Sequence, residues 1–336
     1  MKINIWNSGD TLGLCNIKFN GKAALAPLAG VADRALRELS IGYGAAFTVC
    51  EMASAKGISL GDSKSAGLMS ITDGERPAGI QLFGGCPDAM YEAAKKALLF
   101  NPDFIDINMG CPVPKVISSG GGAALMKNPV LASEIVKNVV RAAEGVPVTV
   151  KIRSGWDDNS KNAVSFAKTC EETGASAITV HGRTRTQMFA PPVDFDIIRQ
   201  VKKAVNIPVI GNGGVANGKE AAALLETTGC DMIMVGKGAV GSPWVFAEIN
   251  AYLNSGVVLP EPPVSEKMRV MLKHIEKLCE YKGDYIGMRE ARKHAAWYIK
   301  GIKGAARYRA KLNLIENFDE LVEIAYQIAA LNTVDF

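Results

Sequence analysis

The chain has 336 residues, 48% of them hydrophobic and 21% charged, a balance that supports a large buried core and excludes disordered, collagen-like and disulfide-scaffold proteins. Its longest apolar stretch, residues 23–32, is broken by Pro27 and Gly30 and is too short to cross a bilayer. The opening MKINIWNSGD lacks a secretory apolar segment, and seven cysteines without a CxxC pair fit reduced thiols in a cytoplasm.

From residue 23 to 254 a short β-rich run, a loop and an amphipathic helix recur. Strands are predicted at 23–26, 47–50, 79–83, 104–108, 146–152, 177–181, 208–211 and 232–236. Helices are predicted at 33–41, 87–100, 129–143, 161–173, 195–205, 218–227 and 243–253, with 52–73 left unassigned. Eight strands alternating with helices match the size and order of a (β/α)8 TIM barrel, which needs about 250 residues, although a doubly wound sheet has the same alternation. Pro260, Pro262 and Pro263 then read as a linker. Beyond them, apolar residues at helical spacing predict a small all-α region. The expected division is a catalytic barrel over 1–258 and a helical domain over 264–336.

The formal net charge of +4 conceals a split. Residues 1–264 carry 25 basic and 24 acidic side chains, 265–312 carry 13 and 5, and 313–336 carry none and 5. A basic block beside a neutral body points to a polyanionic partner, though a solvated helical face has the same composition.

Barrel active sites form at the C-terminal strand ends. Polar groups gather there: Pro27, Leu28 and Ala29 before Gly30, then Gln81, Asn108, Lys151 and His181, with Asn212, Gly213 and Gly214 and finally Gly236 and Lys237. Glycine turns after the seventh and eighth strands suit a phosphate. The run from Gly236 to Gly241 also matches GxGxxG, but it follows the last strand rather than the first, against a Rossmann reading. Gly120–Gly122 lacks a P-loop lysine and is expected to hinge a mobile loop. Lys151 could form a Schiff base, balance a cofactor's charge or snorkel at the rim. No carboxylate–histidine cluster is visible around His181, so no metal is expected. Six cysteines read as buried packing. Cys111 differs, lying on a Gly/Pro-rich loop at the rim, where a thiol can act as general acid or nucleophile.

Taken together, LAPLAGVADRALR (25–37), QLFG (81–84), FIDINMGCPVPKV (104–116), VKIRSGW (150–156), ITVHGRTR (178–185), PVIGNGGV (208–215), MVGKGA (234–239) and ARKHAAWYIKG (291–301) resemble the tRNA-dihydrouridine synthases, the bacterial B-like branch above all. The resemblance implies a flavoprotein that reduces the C5–C6 double bond of uridine in tRNA, with tightly bound FMN and with NADPH as hydride source. It implies that Pro27, Leu28 and Ala29 lie along the flavin and that Gln81, Asn108 and Lys151 hydrogen-bond its ring or ribityl chain. His181, Asn212, Gly213, Gly214, Gly236 and Lys237 would hold the chain and phosphate, and Cys111 would protonate C5. Arg292, Lys293, His294, Lys300 and Lys303, with Trp297 and Tyr298, would form the RNA face of a monomeric enzyme. Two departures, Gly214 for a common Asp and Lys237 for a common Arg, put a side-chain contact to the cofactor in doubt. A flavin barrel acting on a free pyrimidine and a nonenzymatic RNA-binding regulator are the competing expectations.

Overall fold

The computed structural model describes residues 13–14 and 17–332; residues 1–12, 15–16 (with Cys15) and 333–336, at the margins of the two expected regions, lie outside the described residues. Eight parallel strands form a barrel: β1 (Ala23–Leu25), β2 (Thr48–Val49), β3 (Ala78–Phe83), β4 (Phe104–Met109), β5 (Val148–Arg153), β6 (Ala177–His181), β7 (Val209–Asn212) and β8 (Met232–Val235). Strand β8 pairs with β1 in parallel. The ring closes between β1 and β2, where the Leu25 amide donates to the Phe47 carbonyl at 3.1 Å and the Ala46 amide to that of Ala23 at 2.7 Å. This closure decides for the barrel over the open doubly wound sheet.

The strand pleat sorts side chains to two faces. Ile105, Ile107, Met109, Val150, Ile152, Ile178 and Val180 belong to the cluster shared with the surrounding helices. Phe19, Phe47, Phe104, Ile210, Met232 and Met234 fill the interior, with Phe47 and Phe104 edge to face at 5.4 Å between ring centres. The outer helices are α1 (Arg34–Gly42), α2 (Ala55–Ser59), α3 (Pro87–Leu98), α4 (Pro129–Ala142), α5 (Ala163–Glu172), α6 (Phe195–Ala204), α7 (Gly218–Thr228) and α8 (Val245–Ser255). Their starts follow local chemistry: Asp33 accepts from the Leu36 amide to cap α1, and Asn128, followed by Pro129, caps α4. The unassigned 52–73 segment holds α2 and a further single turn, Ser63–Gly67, both too short for periodicity to reveal.

Beyond the proline segment run α9 (Val264–Lys282), α10 (Asp284–Tyr298), α11 (Ala305–Leu312) and α12 (Phe318–Leu331). Met271, Ile275, Met288, Tyr298, Leu312, Leu321 and Ile328 make their core, which also includes Leu39 of α1. Helices α9 and α10 cross closely because Gly287 has no side chain; a Cβ there would stand 2.7 Å from Cys279 Sγ.

Two glycine runs serve close packing, and one sequence expectation, for the cysteines, is corrected. Gly120–Gly122 makes a close contact: a Cβ on Gly85 would lie 2.6 Å from the Gly120 carbonyl carbon, and one on Gly121 3.1 Å from that of Gly84. Gly241, the last glycine of the GxGxxG run, lets the helical region dock. Its φ is +69°, and a Cβ would meet the Trp297 carbonyl carbon at 2.6 Å. Of the cysteines expected to be buried, Cys50, Cys170 and Cys230 are, whereas Cys86 is exposed and Cys279 half-buried.

Candidate active site at the barrel mouth

Inward-facing residues near the strand ends form two hydrogen-bonded groups above the apolar floor. Asp106 of β4 lies at its base, 2% exposed, accepting from Thr149 Oγ1 and Gln81 Nε2 at 2.6 Å each. With one amide hydrogen committed to Asp106, Gln81 turns its Oε1 to accept from Asn108 Nδ2 at 2.9 Å. Asn108 Oδ1 then accepts from the backbone amide of Cys111 at 2.9 Å. A chain of oriented amides thus runs from the buried carboxyl to the loop that carries the thiol. Across the mouth, Lys151 Nζ donates to Asn212 Oδ1 at 3.0 Å, and Asn212 Nδ2 donates to the Met234 carbonyl at 2.7 Å.

Burial sets the protonation of these groups. It pushes Asp106 up to about 6, against the hydrogen bonds from Thr149 and Gln81. Burial, with the Arg153 cation next, pulls the Lys151 amine down to about 8. Burial followed by the charges of Lys151 and Arg153 holds His181 well below its ordinary range, hence neutral. The half-buried Cys111 thiol is pushed up by burial, which outweighs the Val113 amide and the two cations.

A family model described as dihydrouridine synthase matches residues 24–334. The chain belongs to the dihydrouridine synthase family. Among curated relatives, it is 40% identical over 296 residues to tRNA-dihydrouridine synthase B of Pseudomonas aeruginosa, covering 88% of this chain and 89% of that one. It is 42% identical over 302 residues to tRNA-dihydrouridine synthase B of Vibrio vulnificus, covering 90% and 93%.

Membership of the dihydrouridine synthases implies a flavin, and two features of the mouth fit one. The buried Nδ1 of His181 has no hydrogen-bond partner among the described residues, and an orphan of this kind calls for a ligand or water. A Cβ on Gly236 would fill the space 3.9 Å above Ala26 and Leu28, beside the partly exposed strip of Pro27, Leu28 and Ala29. Gly213 and Gly214 take φ values of +119° and +74°, a turn that glycine makes without strain. Lys237 is exposed, and its amine lies over the Phe189 ring, 3.7 Å from the ring centre.

The basic tail is only partly as expected. His294 is 1% exposed and faces Asp33 of the barrel, so it is no part of an RNA face. The helix that carries it packs that side onto α1. Tyr298 is likewise buried, bonded to His274. Trp297 is half-buried, edge to face with His294 at 5.2 Å. Arg292 donates to the Ile315 carbonyl at 3.0 Å and Lys293 to that of Gly30. Lys300 and Lys303 are exposed. Sequence reasoning missed Asp106, Arg307 and Arg309, and it missed Arg153, whose guanidinium ties the carbonyls of Gly110, Thr184 and Met188 together at 2.8–2.9 Å. The RSGW motif signalled Arg153 as a strand-end cation but not its role between loops.

Proposed function

We propose that this chain reduces the C5–C6 double bond of uridines in tRNA to 5,6-dihydrouridine. Pro27, Leu28, Ala29, Gln81, Asn108 and Lys151 would hold the ring system of FMN, and His181, Asn212, Gly213, Gly214, Gly236 and Lys237 its ribityl chain and phosphate. Bound FMN would supply a hydride to C6 of the base, replenished from NADPH. Cys111 donates the proton to C5, completing a two-electron, two-hydrogen addition. The observation that carries this role is a thiol held at the mouth by Asn108 and raised in pKa by burial. Such a group keeps its proton at neutral pH and serves as an acid rather than as a thiolate nucleophile.

Uridine must leave the tRNA stack to reach the mouth, at a cost of a few kcal/mol. Phosphate contacts from the helical region offset that cost. Lys300, Lys303, Arg307 and Arg309 are exposed and take part in no ion pair among the described residues. At the rim, the cations of Lys127 and Arg185 stand 4.8 and 4.5 Å from the ring centre of Trp156. An aromatic flanked by cations suits a stacked base.

Cys111→Ala should leave the flavin absorbance intact and remove most uridine reduction on tRNA. Wild-type turnover in that variant refutes the acid role. Equal activity on free uridine and on tRNA would instead favour a small-molecule enzyme.

A further inference from the structure

Asp33, His274 and His294 lie far apart in sequence and meet where α9 and α10 rest on α1. Their relative exposures are 3%, 1% and 1%. His274 Nε2 and His294 Nε2 each stand 3.3 Å from the same oxygen, Asp33 Oδ2. All three donor atoms lie within 4.8 Å of one another. The imidazoles meet edge to face at 4.8 Å.

Two ring nitrogens converging on one carboxylate oxygen form a donor set that can chelate a metal ion. His274 takes the carboxylate as its partner, while the buried Nε2 of His294 makes no hydrogen bond among the described residues. A zinc-sized ion with bonds of about 2.0–2.1 Å sets tetrahedral ligands roughly 3.3 Å apart, the separation found for both nitrogen–oxygen pairs. The outer partners also suit a metal. Tyr298 Oη is 3.1 Å from His274 Nδ1 and fixes that ring, as the outer partners of metal-bound histidines do. Asp33 Oδ1 is steadied by the Leu36 amide at 2.9 Å. Lys282, the nearby cation on α9, is paired with Glu290 at 2.7 Å.

We propose that Asp33, His274 and His294 bind a divalent transition-metal ion of the zinc class, which ties the helical region to the barrel mouth. This departs from the expectation of no metal, because the ligands come together only in the tertiary structure. Two imidazoles and one carboxylate suit zinc or cobalt rather than calcium or magnesium, and a water completes the shell. Asp33 lies four residues after Ala29, and Lys293, beside His294, holds the Gly30 carbonyl. The ion would therefore fix α10 against the strip proposed to carry the flavin.

The test uses the full chain, stripped with a chelator and titrated with Co²⁺. One equivalent should bind, with ligand-field bands at wavelengths beyond the flavin absorption. Zn²⁺ should compete for the site and raise the thermal midpoint by about 5 °C. His294→Gln and His274→Gln should abolish both effects, and Cys86→Ser should retain them. Absence of a saturable cobalt spectrum in the unaltered chain overturns the proposal without reference to any variant. Undiminished uptake in both folded histidine variants overturns it equally.

Discussion

Asp106 is the residue on which the mouth's hydrogen bonds converge, and its chemistry was visible in FIDINMGCP only as one acid in an apolar strand. Its pKa is raised to about 6 by burial from about 3.9 in an unfolded chain. A carboxyl whose folded pKa is raised binds more protons in the native state, so between about pH 4 and 6 stability falls as pH rises. The penalty is full above about pH 6 and fades as pH falls towards 4. Asp106→Asn keeps an acceptor for Gln81 without the buried charge. We expect it to raise unfolding stability at neutral pH by on the order of 1–2 kcal/mol, with the gain shrinking at acid pH. Denaturant titrations at several pH values check this, and a gain independent of pH refutes it. Lys151 has the opposite sense. Its amine, lowered to about 8, loses its charge as pH rises through that value, and flavin affinity measured by fluorescence should weaken above it.

Helix α1 shows how one element joins the two halves. Arg37 and Glu75 form a buried pair, 3% and 0% exposed. Arg37 also donates to the Ala32 carbonyl at 2.8 Å, and the Thr72 amide donates to Glu75 at 2.7 Å. One residue further, Glu38 accepts from Lys277 at 2.6 Å and from Tyr281, both on α9. Removing one member of a buried pair strands the other charge. Arg37→Met should therefore cost about 3–5 kcal/mol, and adding Glu75→Gln should recover part of it. Equal losses in the single and double variants would show that the pair does not set the cost. The amphipathic pattern at 33–41 predicted this helix. It carried no sign that Asp33 and Glu38 reach residues about 240 positions away, since periodicity reports a buried face and not its partner.

At the scale of the molecule, docking depends on small residues and binding on exposed charge. Gly241 admits the Trp297 backbone. Gly241→Val should force the helical region away and lower the thermal midpoint and tRNA affinity together, while the barrel keeps its flavin absorbance. Lys300 and Lys303 are exposed, so Lys300→Ala with Lys303→Ala should leave stability nearly unchanged. It should reduce the slope of log affinity against log salt by about 2, near one per phosphate contact. An unchanged slope in a tRNA-binding titration would remove these lysines from the RNA face.

Alternating strands and helices, the rim residues and the basic block were legible in the sequence, because hydrophobic period, glycine turns and charge are local properties. The eight-unit count and the placing of Asn108, Cys111, Lys151, His181 and Asn212 at strand ends needed nothing more. The tertiary structure alone decided that the sheet closes, that Asp106 orients the amides beneath Cys111, and that His294 faces Asp33 instead of solvent. Basic helical residues look alike whether they meet water, a carbonyl or a buried carboxylate. Only the packing of the helical region on itself and on the barrel separates Lys300 and Lys303 from Arg292, Lys293 and His294, because burial depends on contacts between residues distant in the chain.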